Sequence, residues 1–358
     1  MVAPTTQSTT QSTTQSTTQS TTPGTSPAPV ADPAARLSRL ADGYIVTAAL
    51  HVAAELGVAD VLARGACDAT RLAAEVGARP GPLRRVLRLL VAEGVLAEFP
   101  DGTFSLTPSG RLLRSDVPGS LRGAVRARGG LYATAAPALP DAVRDGGVAF
   151  ERARGKPFFD HIADRPAELA AFQASQQDRS AREAADVVAA YDFGRFRRLV
   201  DVGGSTGVLL SAVLTATPAL SGVLFDRPEV VADARVPEGT EVVEGDFFTG
   251  VPAGGDAYLL SRILHDWDDA DARRILTRCR EAMGPDATLL VVDAMLPERA
   301  ADGPAVIRMD TTMLLLATGC ERTAREFGEL FASAGFALRR IVPTPSPVGL
   351  VVLEATPA

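Results

Sequence analysis

The chain has 358 residues, enough for two domains, and 46% of them are hydrophobic. A net charge of −7 argues against a nucleic-acid or anionic-membrane partner, since both need a basic face to displace counterions, and leaves a small molecule as the expected ligand. No apolar run reaches the roughly 18 residues of a membrane span, no secretory signal is recognisable, and three cysteines without metal-ligand spacing suggest neither a zinc site nor a disulfide framework, so no metal is expected and the expected location is the cytoplasm.

Residues 1–35 form a Ser/Thr/Gln-rich tail in which Gln-Ser-Thr-Thr repeats from position 7 to 22, a composition that cannot bury enough apolar area to offset chain entropy, and disorder is expected. From Leu40 the apolar positions Ile45, Ala48, Leu50, Val52, Ala53 and Leu56 fall at helical spacing. Asp68–Gly77 reads as a short helix with a glycine stop, and a second helix is expected from Pro82 through Glu93. Val95–Phe99 and Thr103–Leu106, joined by Pro100-Asp101-Gly102, read as a two-stranded hairpin. Helix, turn, helix and hairpin make a winged helix over residues 36–115. Arg84, Arg85 and Arg88 would suit a DNA-recognition helix, but the acidic balance favours an interaction module that packs against a second subunit.

Residues 116–190 read as a helical connector. Phe158-Phe159 and a long helix from Pro166 to about Ala189, carrying Phe172 and the polar Gln173, Gln176 and Gln177, are candidates for lining a pocket, with core packing as the alternative. Residues 191–358 alternate apolar runs with helical stretches. Strands are expected at 198–202, 222–225, 241–243, 257–261, 288–293, 336–342 and 350–354, which predicts an α/β, Rossmann-like, mainly parallel seven-stranded sheet with its ligand at the carboxyl ends of the strands.

Asp201 closes the first of these strands, and Gly203, Gly204 and Gly207 let the backbone turn and approach a ligand closely. About 20 residues beyond the loop, Asp226 is placed to accept hydrogen bonds from a ribose. An adenosine-containing ligand follows, either a dinucleotide or S-adenosylmethionine. Val202 stands where the dinucleotide fingerprint wants its first glycine, which favours the sulfonium cofactor. Methyl transfer to oxygen needs the nucleophile relieved of its proton, and imidazole, with a pKa near 6.5, suits that task. His265, beside the only tryptophan, Trp267, is the candidate, and a carboxylate behind the ring would orient it, with Asp293 and Glu321 as the two candidates.

The series Val200-Asp201-Val202-Gly203-Gly204, Gly245-Asp246-Phe247-Phe248, Leu264-His265-Asp266-Trp267 and Glu321-Arg322-Thr323 resembles the S-adenosylmethionine-dependent O-methyltransferases that carry an N-terminal winged-helix dimerisation domain, over roughly residues 40–355. The group includes plant caffeate and flavonoid enzymes and bacterial antibiotic-pathway enzymes. The resemblance implies a homodimer, with His265 as general base oriented by Asp293 and Glu321. It also implies a cofactor site of Asp201, Gly203, Gly204, Asp226, Asp246, Phe247, Ser261 and Arg262, with Asp246 and Phe247 flanking the adenine. Met309 and Met313 resemble the family's substrate-facing methionines, and with Phe172 and Trp267 they form the expected acceptor set, Trp267 doubling as a candidate wall of the cofactor pocket. The implied acceptor is an aromatic or polyketide-like small molecule. Four departures stand out: Ser205 replaces a glycine of the loop, Asp293 a longer glutamate, Cys320 a second glycine, and Arg262 a lysine. Non-methylating chemistry on the same fold, nitrogen or carbon methylation, and a ligand-sensing DNA-binding regulator are the rival readings.

Overall fold

The structure is a computed structural model and describes residues 1–3 and 32–358. The Gln-Ser-Thr-Thr repeat and the disorder expected of it lie outside the described residues. Of two compact units, the first, Met1–Gly43, contributes the helix Pro33–Ala41. Asp32 caps it by accepting from the Ala34 amide at 3.1 Å, and Leu37 and Leu40 are exposed.

The second unit, Tyr44–Ala358, begins with the expected helix, turn, helix and hairpin. Asp68 caps the helix Ala69–Val76 by accepting from Thr70 and Arg71, and Gly77 ends it at φ 68°. The next helix, Pro80–Ala92, starts two residues before the expected Pro82, because Pro80 has the fixed φ and missing N–H that suit a first helical position. The wing has three strands rather than two: β1 (Cys67–Asp68) and β2 (Leu96–Glu98) both pair antiparallel with β3 (Thr103–Leu106). Leu72, Leu87, Leu90 and Phe104 form its solvent-free core. Arg84 and Arg88 sit 3.9 and 3.5 Å from Glu98 on the wing, so two of the three arginines named for a recognition helix share one carboxylate within the domain.

The connector is helical, and its longest element, Pro166–Ala190, packs on Arg122–Gly129, on the helix Val208–Ala216 and on the main sheet. In the sheet, β4 (Arg198–Val202), β5 (Ser221–Asp226), β6 (Glu241–Glu244), β7 (Ala257–Ser261) and β8 (Thr288–Leu296) are mutually parallel neighbours. A short β9 (Arg322–Thr323) extends beside β8, and of the last two strands, β10 (Phe336–Pro343) and β11 (Leu350–Pro357), β11 runs antiparallel to both its neighbours. The order is β10-β11-β8-β7-β4-β5-β6. Alternate residues feed opposite faces, Val200 and Val202 packing with the helices Asp269–Ala282 and Ala324–Ser333, and Leu199 with Pro166–Ala190 and Val208–Ala216. The chain leaves β4 toward β5 and later returns to its other side at β7, which opens a crevice at the carboxyl end of β4.

One expectation is corrected here. Asp293 does not end its strand: β8 continues to Leu296, because Ala294 pairs with Leu350 and Met295 with Arg322, and Asp293 is left fully buried in the strand interior.

Candidate active site

The crevice at β4 is shaped by main chain. Gly203 (φ 72°) approaches the catalytic turn so closely that a Cβ there would come within 2.6 Å of Ile263 Cδ1, and one on Gly204 would lie 2.5 Å from an Asp201 carboxylate oxygen. Ser205 takes φ 55°, a left-handed conformation that glycine favours and a serine adopts only under constraint. Asp226 accepts from the Ser205 amide at 2.8 Å and the Arg227 amide at 2.7 Å, which fixes it at the rim with lone pairs to spare. Asp201 is buried and neither of its oxygens has a hydrogen-bond partner; burial, then repulsion from Asp226, pushes its pKa up to about 7. An orphaned carboxylate beside a glycine-lined gap is the chemistry that an ammonium-bearing ligand satisfies. Asp246 turns back to accept from the Phe248 amide, and Phe247 reaches the Gly203 side of the crevice.

The other wall is made of side chains. His265 lies in a short 3₁₀ turn after β7, buried, with Nδ1 2.9 Å from Glu321 Oε1. That contact assigns the proton to Nδ1 and leaves Nε2 as the acceptor, with Asp266 Oδ1 3.5 Å from it. Burial alone would lower the His265 pKa, but the carboxylates of Asp266, Glu321 and Asp293 outweigh it and raise the value above 6.5. Burial opposes ionisation of Glu321 as well, yet the His265 bond and the nearby arginines hold its pKa below the usual carboxylate range. Asp293 makes no hydrogen bond to the ring; both its oxygens are buried without partners, and burial pushes its pKa up to about 7. The structure therefore brings Glu321, and not Asp293, into direct contact with His265.

The remaining candidates distribute as follows. Trp267 packs edge-on against Phe247 and Phe248, with centroids 6.1 and 4.8 Å away, and so stands on the cofactor side. Arg262 is buried at φ 58° and donates to Met309 Sδ at 2.7 Å; Met313 is buried on the same helix, Pro304–Leu316. Ser261 ends β7. Phe172 belongs to an aromatic cluster with Phe158 and Phe159, which also touches Leu316 at the end of the methionine helix. Gln173 is exposed, Gln176 half-buried, and the side chain of Gln177 lies outside the described residues.

Sequence reasoning gave no role to Arg322, Gly319 or Asp310, although they lie in or beside its motifs, and passed over the pair Arg179 and Glu183. Arg322, fully buried, donates to the Leu264 and Trp267 carbonyls, each at 2.9 Å, and to Asp269, clamping both ends of the His265 turn. A Cβ on Gly319 would come within 2.1 Å of the His265 carbonyl oxygen, whereas Cys320 is exposed, which explains why the first glycine is required there and the second is dispensable. Asp310 accepts from the Glu321 amide at 3.0 Å. The only sequence signal for Arg322 was its place beside Glu321; Arg179 and Glu183 gave none, being about 80 residues from the turn they face.

Residues 38–116 match the O-methyltransferase dimerisation domain and residues 137–337 the O-methyltransferase domain. The chain is 41% identical to a phenazine O-methyltransferase of Lysobacter antibioticus, with 90% of this chain and 95% of that one covered. It is 38% identical to the 8-amino-8-demethylriboflavin N,N-dimethyltransferase of Streptomyces davaonensis, with 88% and 93% covered. Among solved structures, an O-methyltransferase from neocarzinostatin biosynthesis, in complex with S-adenosylmethionine and 2-hydroxy-5-methyl naphthoic acid, superposes with a TM-score of 0.78 at 34% identity, covering 90% of this chain and 98% of that one. With a glycine crevice, a carboxylate-held histidine and both domain matches in chain order, this protein belongs to the O-methyltransferase family that carries an N-terminal dimerisation domain.

Proposed function

We propose that the chain is an S-adenosylmethionine-dependent O-methyltransferase acting on a hydroxyl of an aromatic small molecule in bacterial specialised metabolism, with His265 as general base. The buried His265–Glu321 pair, 2.9 Å apart and adjoining the glycine crevice through Ile263, carries this reading. Asp201, Gly203, Gly204, Asp226, Asp246, Phe247, Ser261 and Arg262 would hold the cofactor, which when bound supplies an electrophilic methyl group on a sulfonium. A phenolic hydroxyl has a pKa of about 10, so a base is needed near neutrality. Nε2 of His265 would take the hydroxyl proton of the acceptor, while Nδ1–H donates to Glu321 and the ionised Glu321 would stabilise the imidazolium that forms. Asp293, buried within electrostatic reach of the ring, favours the same charge without touching it.

The dimerisation-domain match, with Tyr44 and Ile45 exposed at the start of the helix Gly43–Glu55, supports a homodimer. No described helix is long and apolar enough to cross a membrane. A cytoplasmic location and the absence of a nucleic-acid partner follow from composition and remain part of the proposal. Nitrogen methylation is the second reading, favoured by the riboflavin-pathway relative. Incubation with methyl-labelled S-adenosylmethionine and a panel of phenols and aryl amines tests both: label on phenol oxygen is the expected result, label on nitrogen alone replaces it with the second reading, and no transfer with no cofactor binding overturns both.

A further inference from the structure

Three buried guanidinium donors around the catalytic turn have no acceptor: Nε of Arg179, and Nε and Nη1 of Arg262. Glu183 is shared between them, with Oε2 3.9 Å from Arg179 Nε and 3.6 Å from Arg262 Nε, both beyond hydrogen-bonding distance. Arg262 Nη1 lies 3.9 Å from Glu321, and its Nη2 is taken up by Met309. The shared Glu183 links Arg179 to Arg262, which directly precedes Ile263 and the His265 turn in the chain. Leaving a buried donor unpaired is unfavourable, more so when it is charged, and a guanidinium fork matches a carboxylate in two parallel hydrogen bonds.

Phe172, Gln176, Arg179 and Glu183 are spaced four, three and four residues apart on Pro166–Ala190, so they share one helical face. That face carries an aromatic residue at one end and, toward the other, an Arg179 Nε that has no hydrogen-bond acceptor. Arg262 follows the end of β7 and adjoins Ile263 at the glycine crevice, whereas Arg179 lies on the connector helix with Phe172.

We propose that Arg179 recognises a carboxylate on the acceptor's ring, making the site selective for hydroxylated aromatic carboxylic acids over their uncharged counterparts. This rests on the aromatic-acceptor reading above. The full-length protein loaded with S-adenosylhomocysteine is titrated calorimetrically with 3-hydroxy-2-naphthoic acid and with 2-naphthol. The acid is expected to bind about tenfold or more tightly, Arg179→Gln to abolish that preference, Arg179→Lys to keep part of it, and both variants to retain S-adenosylhomocysteine affinity. Equal affinity for the two ligands in the native protein, including no measurable binding of either, overturns the proposal, as does a preference that survives in Arg179→Gln. Loss of S-adenosylhomocysteine affinity in Arg179→Gln with the preference intact would assign the donor to the cofactor's own carboxylate and equally overturn it. A carboxylate preference that holds while no phenol is methylated would sink the methyl-transfer reading and leave the acid site standing.

Discussion

On the β5 side of β4 the crevice wall is main chain: Gly203, Gly204 and Ser205 fold under Asp201 and Asp226, whose carboxylates meet only backbone amides or nothing. On the β7 side the wall is a set of interlocked side chains, His265 on Glu321, Arg322 on two carbonyls, Arg262 on Met309. The first wall is shaped by where a Cβ cannot go, the second by which charge answers which. A backbone-built wall fails through steric intrusion or protonation, whereas a side-chain wall fails when one partner is removed and the rest are left buried and unpaired.

The largest expected effect tests the second wall. His265→Ala should lower kcat by about 10²–10⁴-fold while leaving S-adenosylmethionine affinity within a few fold, measured by calorimetry; a variant of near-native rate would remove the base from the mechanism. Glu321→Gln removes the ionised partner of Nδ1 and should lower kcat by about 10–10²-fold. Its pH profile gives a sharper reading. Activity requires neutral His265, whose pKa the neighbouring carboxylates raise above 6.5, so the rate falls as pH drops through that raised value. With Glu321 neutralised the His265 pKa decreases and the acid limb should move to lower pH; an unmoved limb would mean that Glu321 does not act on the ring.

The first wall is tested by pH in a different way. Asp201 has a pKa pushed up to about 7, and a cationic ligand prefers its ionised form. S-adenosylmethionine should therefore bind more weakly at pH 6 than at pH 8, by up to about tenfold, with a proton released on binding near pH 7. Asp201→Asn should flatten that dependence, and a flat profile in the native protein would place the cofactor's charge elsewhere. The smallest effect is expected at Ser205, where φ 55° disfavours any side chain. Ser205→Gly should stabilise the fold by at most about 1 kcal/mol in a denaturant melt, since glycine's freedom in the unfolded chain offsets part of the relief, and a destabilised variant would show that the serine side chain is itself needed.

The same contrast governs what could be read in advance. The strands β4, β5, β7, β8 and β11 were legible as apolar runs because burial on both faces demands near-continuous hydrophobicity, while the more exposed edge strands β6 and β10 were legible from shorter apolar stretches. The two-residue strands β1 and β9 were not, since they exist only through pairing with distant segments. The glycine crevice was legible because its constraint is local in sequence. The resemblance supplied Glu321 and Asp293 together, and only geometry separates the one that touches His265 from the one that does not. Arg179 and Glu183 were invisible for the same reason as β9: nothing near them in the chain reveals which turn they face.

Arg322 draws its partners from Leu264, Trp267 and Asp269, and Glu321 is its immediate neighbour in the chain. His265 and Glu321 are thus locked to one another at the carboxyl edge of the main sheet, and no residue of that clamp comes from the connector helices that carry Phe172 and Arg179. If Arg179 chooses the acceptor as proposed, that choice can therefore change without removing a hydrogen bond that holds His265, and a new acceptor need not wait for any repair of the clamp.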